Sequence, residues 1–115
     1  MNITNLTGKE IILFNLEHEG VVSILKLKPD KGIATATKRS VYLGDIQMNG
    51  IGVAEKEIFY TDLQGLPKPK ENQIYLVSEQ VARSAPERRD LRVPSNPLFD
   101  ENGTLIGYQS VSRIY

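Results

Sequence analysis

The sequence predicts a mainly β (α+β) fold, with about seven mostly antiparallel strands and one short helix in a single domain. Short apolar runs and alternating segments are separated by Gly, Pro, Asn and Asp, a pattern typical of strands and turns. One Asn-Gly pair stands in the middle of a long alternating segment. The chain has 115 residues, which amounts to one domain over residues 1–115, because domains usually hold about 100–150 residues.

Two strands are predicted near the N-terminus. Residues 10–16 and residues 21–27 are each apolar on both faces, which favours strands that are covered on both sides. Residues 17–20 form a predicted turn between these strands. Pro29 and Gly32 mark the next turn, because proline fixes φ and glycine accepts a positive φ.

Residues 39–60 predict a long hairpin around Asn49-Gly50. A type I′ turn needs a positive φ at both central residues, and Asn-Gly is the pair that best supplies it. The two-residue loop places four apolar side chains on one face, in the opposed pairs Met48–Ile51 and Ile46–Val53.

Farther from this turn, the apolar residues change face. The predicted pairs there are Val41–Ile58 and Leu43–Lys56. A strand cannot switch faces without a bend or an extra residue, and we place that irregularity at Gly44-Asp45.

The C-terminal half contains the one predicted helix. Residues 63–72 carry a glycine and two prolines and are predicted to be a loop, and residues 73–77 a short strand. Ser78 can cap a helix over residues 79–85. Pro86 ends it, because the residue before a proline avoids the α region.

The remaining residues predict an extended segment, a turn and a last strand. Pro94 and Pro97 keep the chain extended after the helix. Residues 100–103 form a predicted type I turn closed by a glycine bulge, and the final strand continues to residue 115.

Composition and charge exclude several classes of function. Lys plus Arg and Asp plus Glu are 14 each, and this zero net charge disfavours nucleic-acid binding. The absence of cysteine removes disulfides, thiolate zinc sites and thiol nucleophiles, and neither a metal nor a cofactor is predicted.

The sequence also predicts a cytoplasmic protein. No apolar run approaches the roughly 20 residues of a membrane span, and the N-terminus lacks the basic start and apolar stretch of a signal peptide. Asn-x-Thr triplets begin at Asn2, Asn5 and Asn102. In a cytoplasmic chain we interpret them as turn chemistry rather than glycan sites.

Arginine is distributed unevenly. Four of the six arginines fall within ten residues, after the junction of the predicted strand with the predicted helix. The arginine fork suits phosphate and carboxylate, and a helix that follows a strand can present an anion site. The residues predicted to bind an anionic ligand are Lys68, Ser78, Arg83, Arg88, Arg89 and Arg92.

The same arginines also fit a solvated or protein-binding surface. Arg83 lies near the end of the helix, where a cation favours the helix dipole. Glu87 and Asp90 can pair with the neighbouring arginines, and Glu79 occupies the position that an anion would take at the helix start. The sequence leaves both interpretations open.

Other potential chemistry is weaker. His18 is the single histidine and lies between two glutamates in a predicted turn, which favours a solvated side chain over catalysis. Glu55 and Glu57 share one strand face, where paired carboxylates could perform acid/base chemistry. A solvated strand face is the simpler interpretation of that pair.

Several segments resemble a known group of proteins. They are residues 74–78 (Ile-Tyr-Leu-Val-Ser), residues 85–91 (Ala-Pro-Glu-Arg-Arg-Asp-Leu) and residues 100–107. In these segments the chain resembles small phage, prophage and mobile-element proteins of bacteria that have no assigned activity. A cysteine often follows the last glycine in that group, and this chain has Tyr108 there. The resemblance therefore implies no catalytic residue, but it implies a role in host takeover or in countering host defence.

The sequence leads to a non-enzymatic binding protein that captures an anionic small molecule such as a nucleotide signal. One alternative is an inhibitor that binds a host protein through an exposed strand edge or the arginine-rich loop. A second is a small carboxylate-based hydrolase. The sequence predicts no membrane partner and leaves a homo-oligomer open.

Overall fold

The computed structural model describes residues 1–16 and 22–114, and these residues form eight strands and one helix. The mainly β prediction is confirmed. The strands and the helix, in chain order, are β1 (Asn2–Asn5), β2 (Ile11–Leu16), β3 (Val22–Leu27), β4 (Thr35–Met48), β5 (Ile51–Gln64), β6 (Gln73–Leu76), α1 (Glu79–Ser84), β7 (Leu91–Phe99) and β8 (Leu105–Ser112).

Six strands form one mixed sheet in the order β1-β6-β7-β8-β2-β3. The strand β6 pairs in parallel with both β1 and β7, and β2 pairs in parallel with β8. The antiparallel ladders β2–β3, β7–β8 and β4–β5 are longer, as predicted. The three parallel pairings were not predicted, because such strands are joined by connections that leave the sheet and carry no turn signal.

The strands β4 and β5 form a separate two-stranded hairpin. Near its turn, Met48 lies opposite Ile51 and Ile46 lies opposite Val53, as predicted. The predicted pairs farther along are wrong: the observed pairs are Val41–Glu57 and Tyr42–Lys56.

This hairpin has two register shifts, one between Thr35 and Thr37 and one between Tyr42 and Gly44, and at the second of them Leu43 is the extra residue. The predicted change of face is therefore present, but it lies one position earlier than Gly44-Asp45. Gly44 has a φ of 116°, which only glycine adopts readily. This freedom lets the chain resume regular pairing directly after Leu43.

The turn of the hairpin is of type I′, as predicted, since φ is 52° at Asn49 and 80° at Gly50. We expect Asn49→Ala and Gly50→Ala each to lower the free energy of unfolding by about 1 kcal/mol, because a residue with a Cβ pays roughly that amount in the left-handed region. Urea unfolding measures the change. Equal stability of both variants and the parent would contradict the assignment.

The helix α1 begins at Glu79 as predicted and ends at Ser84, one residue before the predicted end. The hydroxyl of Ser78 accepts a hydrogen bond from the backbone N–H of Val81 at 3.3 Å, and Ala85 is the C-cap. Val81 and Ala82 are buried. The helix packs against the base of the β4–β5 hairpin and against β7, so a small apolar core joins it to the sheet. The buried members of that core are Leu6, Ala34, Tyr75, Val77, Val81, Ala82, Ala85 and Leu91.

The turn after β7 also matches the prediction. The N–H of Gly103 donates to the carbonyl of Asp100 at 3.0 Å, and the N–H of Asp100 donates to the carbonyl of Thr104 at 2.9 Å. The predicted turn at residues 17–20, with His18, lies outside the described residues. Within residues 1–16 and 22–114, no helix has the length and apolarity to cross a membrane.

Candidate functional site

A cleft of about 400 Å³ lies at the carboxyl-terminal ends of the parallel strands β1 and β6. We call it the Lys9 cleft. Ligands of sheets with parallel strands commonly bind outside these ends, and cavities of about 300–1,000 Å³ are typical ligand sites. The cleft is lined by Thr7, Lys9, Ile11, Val77, Ser78, Glu79, Val93, Pro94 and Tyr108.

The loop that carries Lys9 is held in place by Asn5, whose side chain is 1% exposed. The amide group of Asn5 donates to the carbonyls of Lys9 (2.8 Å) and Leu27 (2.9 Å). Its oxygen accepts from the N–H (3.0 Å) and the hydroxyl (2.6 Å) of Thr7. The interpretation of this Asn-x-Thr triplet as turn chemistry is therefore confirmed. These bonds fix the backbone on one side of the cleft.

The opposite side of the cleft is the junction of β6 and α1. The Ser78 hydroxyl caps the helix. The carboxylate of Glu79 pairs with Arg83 at 2.8 Å, one turn along the helix. Because Arg83 offsets the charge of Glu79, this carboxylate does not make the cleft strongly repulsive to an anion.

The floor of the cleft is apolar and its rim is polar. Ile11 and Val77 are buried at 2% and 0% exposure, while the strands β7 and β8 contribute Pro94 and Tyr108. The ammonium of Lys9 makes no ion pair within the described part of the chain. The lining of the cleft thus combines a lysine, buried apolar residues and an aromatic residue, a combination that suits a ligand with a phosphate and a flat ring.

The structure separates the predicted ligand-binding residues into two places. Ser78 follows the end of β6, whereas Arg88 and Arg89 precede the start of β7. Because β6 and β7 are parallel neighbours, the residue after β6 and the residues before β7 lie at opposite ends of these two strands. Ser78 therefore lines the Lys9 cleft, and the arginines after the helix do not.

Arg88 is a structural residue in this arrangement. Its guanidinium donates to both carboxylate oxygens of Asp90, at 2.8 and 2.7 Å, and to the carbonyl of Pro67 at 2.8 Å. The side chains of Arg88 and Asp90 are only 15% and 14% exposed. The hydrogen bond from Arg88 holds the pKa of Asp90 below its ordinary value of 3.8. Through its hydrogen bond to Pro67, Arg88 thus connects the loop after the helix to the loop before β6.

The other basic residues of this region lie nearer the surface. Arg92 donates to the carbonyls of Arg89 and Leu91, both at 2.8 Å. The side chains of Arg89 and Lys68 are exposed, and the carbonyl of Lys68 accepts a hydrogen bond of 3.4 Å from the hydroxyl of Tyr75. Arg89 and Lys68 are the members of this group with the most solvent-accessible charge.

Sequence reasoning missed Thr7, Lys9 and Tyr108. Thr7 and Lys9 follow β1, a strand with only one apolar residue, so nothing in the sequence placed them at the edge of a sheet. The Asn5-x-Thr7 triplet was the available signal, because Asn and Thr side chains commonly organise such loops.

The remaining candidates do not form a site in the described residues. Glu55 and Glu57 share one face of the β4–β5 hairpin, as predicted, and both are exposed. In residues 1–16 and 22–114, no three carboxylate or imidazole side chains come together as metal ligands.

Comparison of the chain with protein-family models, with curated proteins and with solved structures finds no match.

Proposed function

We propose that the protein is a non-enzymatic binding protein that sequesters an anionic small molecule, such as a nucleotide signal, in the Lys9 cleft. The observation that carries this proposal is that Lys9, which makes no ion pair in the described part of the chain, lines a cleft together with the buried Ile11 and Val77. A phosphate binds the ammonium through charge-assisted hydrogen bonds. A base lies against Pro94 and Tyr108, and the buried floor excludes water from its lower face.

The biological role in this proposal is to counter host defence from within the bacterial cytoplasm. It rests on the resemblance to small phage and mobile-element proteins. A protein that only binds its ligand removes a signal in proportion to its own concentration, so its effect depends on affinity. Rigid support of the cleft by Asn5 favours affinity, because little conformational freedom is lost on binding.

The first test is to denature the purified protein and to identify the released small molecules by mass spectrometry. The second is calorimetric titration with a panel of mononucleotides, dinucleotides and cyclic nucleotides. We expect Lys9→Gln to weaken the binding of the best nucleotide about 10-fold to 100-fold, because a hydrogen bond to a charged group contributes about 1.5–3 kcal/mol. Binding to the parent should also weaken as salt rises.

Lys56→Gln is the matched control, because Lys56 is an exposed lysine on the β4–β5 hairpin, away from the cleft. It should bind the nucleotide like the parent. Arg89→Gln and Lys68→Gln test the arginine-rich loop, and a loss of affinity confined to these two variants would overturn the placement in the cleft. Nucleotide turnover would support the hydrolase alternative. Capture of a host protein, with no nucleotide bound at millimolar concentration, would support the inhibitor alternative.

A further inference from the structure

The chain exposes more surface than a monomer of its mass. Its accessible surface is 8220 Å², whereas a folded monomeric protein of 12.9 kDa exposes about 6,300 Å². Its radius of gyration is 17.9 Å, against about 13 Å for a compact domain of this length. The β4–β5 hairpin, residues 35–64, which we call the hairpin arm, is exposed at most of its positions.

Ten large apolar residues of the hairpin arm are exposed. The ten residues are Val41, Tyr42, Leu43, Ile46, Met48, Ile51, Val53, Ile58, Phe59 and Leu63. They lie on both faces of the ribbon, and the register places six of them on one face: Val41, Ile46, Met48, Ile51, Val53 and Phe59. At about 200 Å² for a fully exposed large apolar residue, their exposed fractions leave about 570 Å² open on that face. This is most of the roughly 800 Å² that each partner contributes to a standard protein interface.

Four of these residues form a cluster at the tip of the arm. The observed register places Ile46, Met48, Ile51 and Val53 on one face, and their exposed fractions are 41%, 54%, 66% and 39%. Adjacent apolar residues on one face of an exposed ribbon mark an interaction surface. We call these four residues the tip cluster.

The hairpin arm is supported at its base, where it packs against α1. An isolated two-stranded hairpin is marginally stable in water, so the distal half gains stability from a partner that covers it. The arm carries three basic and four acidic side chains. Of these, Glu55, Glu57 and Arg39 lie on the face of the tip cluster, and all three are nearer the base of the arm than the four apolar residues.

We propose that the hairpin arm is a dimerisation surface, and that two copies of this chain pack arm against arm across their tip clusters. A two-fold interface needs one surface that complements itself, and the apolar tip cluster meets this requirement. The apolar area left open on the face of the tip cluster is most of the share that one subunit contributes to such a dimer. The dimer leaves the Lys9 cleft, which lies on the sheet, outside the interface.

The test is sedimentation equilibrium of the parent and of the double variant Met48→Lys with Ile51→Lys. We expect the parent to be a dimer at micromolar concentration. The double variant should dissociate at least about 30-fold more readily, the loss that corresponds to removing one interface hot spot. Its circular dichroism spectrum should stay unchanged, because both side chains are exposed and lie far from the core.

Ile24→Lys is the matched control, since Ile24 is 54% exposed but lies on β3. It should leave the parent's dimer constant unchanged. A parent that is monomeric at 100 µM overturns the proposal. So does a dimer that tolerates the double variant, or one that only Ile24→Lys dissociates.

A second measurement uses the absence of cysteine from the chain. In the single variant Ile51→Cys, the thiol should be alkylated more slowly as protein concentration rises, because dimerisation covers it. Phe99→Cys, at a position of 57% exposure outside the arm, should react at one rate throughout. Equal reactivity of Ile51→Cys at all concentrations would contradict the proposal.

Discussion

Replacing Asn5 by aspartate is expected to lower the free energy of unfolding by about 4 kcal/mol, enough to unfold much of the protein. The change keeps the size of the side chain but removes both donors of the amide. The carbonyls of Lys9 and Leu27 then lose their partners and face a carboxylate oxygen. Each unsatisfied buried group costs about 1–3 kcal/mol, and the new charge sits at a position with 1% exposure.

Asn2→Asp is the matched control for this experiment. Asn2 lies on the same strand and undergoes the same chemical change, but its side chain is exposed. A surface substitution of this kind changes stability by less than about 0.5 kcal/mol. Urea unfolding of both variants gives the comparison, and similar stability of the two would show that the bonds of Asn5 contribute little.

The hairpin and the helix could be predicted from the sequence because their signals are local. Asn49-Gly50 requires one turn type, and that turn sets the register of the residues beside it. Ser78 and Pro86 bound the helix in the same way. The predicted register was lost beyond Leu43, because a bulge can be accommodated at several positions and only three-dimensional packing selects one.

The strand β1 and the parallel pairings could not be predicted in this way. The strand β1 has a single apolar residue, Ile3, and its alternation is too short to indicate a strand. Its partner β6 lies about 70 positions along the chain, and no turn signal connects the two. The Lys9 cleft depends on this pairing, so the sequence identified Ser78 alone among the residues that line it.

The arginine cluster illustrates a different limit. The sequence indicated that Asp90 could pair with an arginine, but it could not show how far the pair would be buried. An ion pair between residues two positions apart is usually a surface contact. Here the loop before β6 covers the pair, and its Pro67 carbonyl accepts a hydrogen bond from Arg88. A fully exposed pair would contribute only about 0–1 kcal/mol to stability, whereas the side chains of Arg88 and Asp90 are 15% and 14% exposed, so this pair contributes more.

Arg88→Gln is therefore expected to destabilise the protein by about 2 kcal/mol, because removing one partner of a partly buried ion pair leaves the other charge uncompensated. The carbonyl of Pro67 also loses its donor. Arg89→Gln is the matched control at the adjacent, exposed position, and it should change stability by less than about 0.5 kcal/mol. Comparable losses of unfolding free energy in the two variants would show that the Arg88–Asp90 pair contributes no more to stability than an exposed arginine does.

The effect of Arg88→Gln should depend on pH. Arg88 holds the pKa of Asp90 below 3.8 in the folded protein, so the pair's stabilisation is fully present above that value and is lost as pH falls through the lowered pKa. The same hydrogen bond raises the pKa of Arg88, which keeps the pair charged at neutral and alkaline pH. We expect the stability difference between the parent and Arg88→Gln to be constant from pH 5 to pH 8 and to shrink below about pH 4. Urea unfolding across this range measures it, and a difference that persists undiminished at pH 2 would mean that Arg88 acts through its contact with Pro67 rather than through the charge of Asp90.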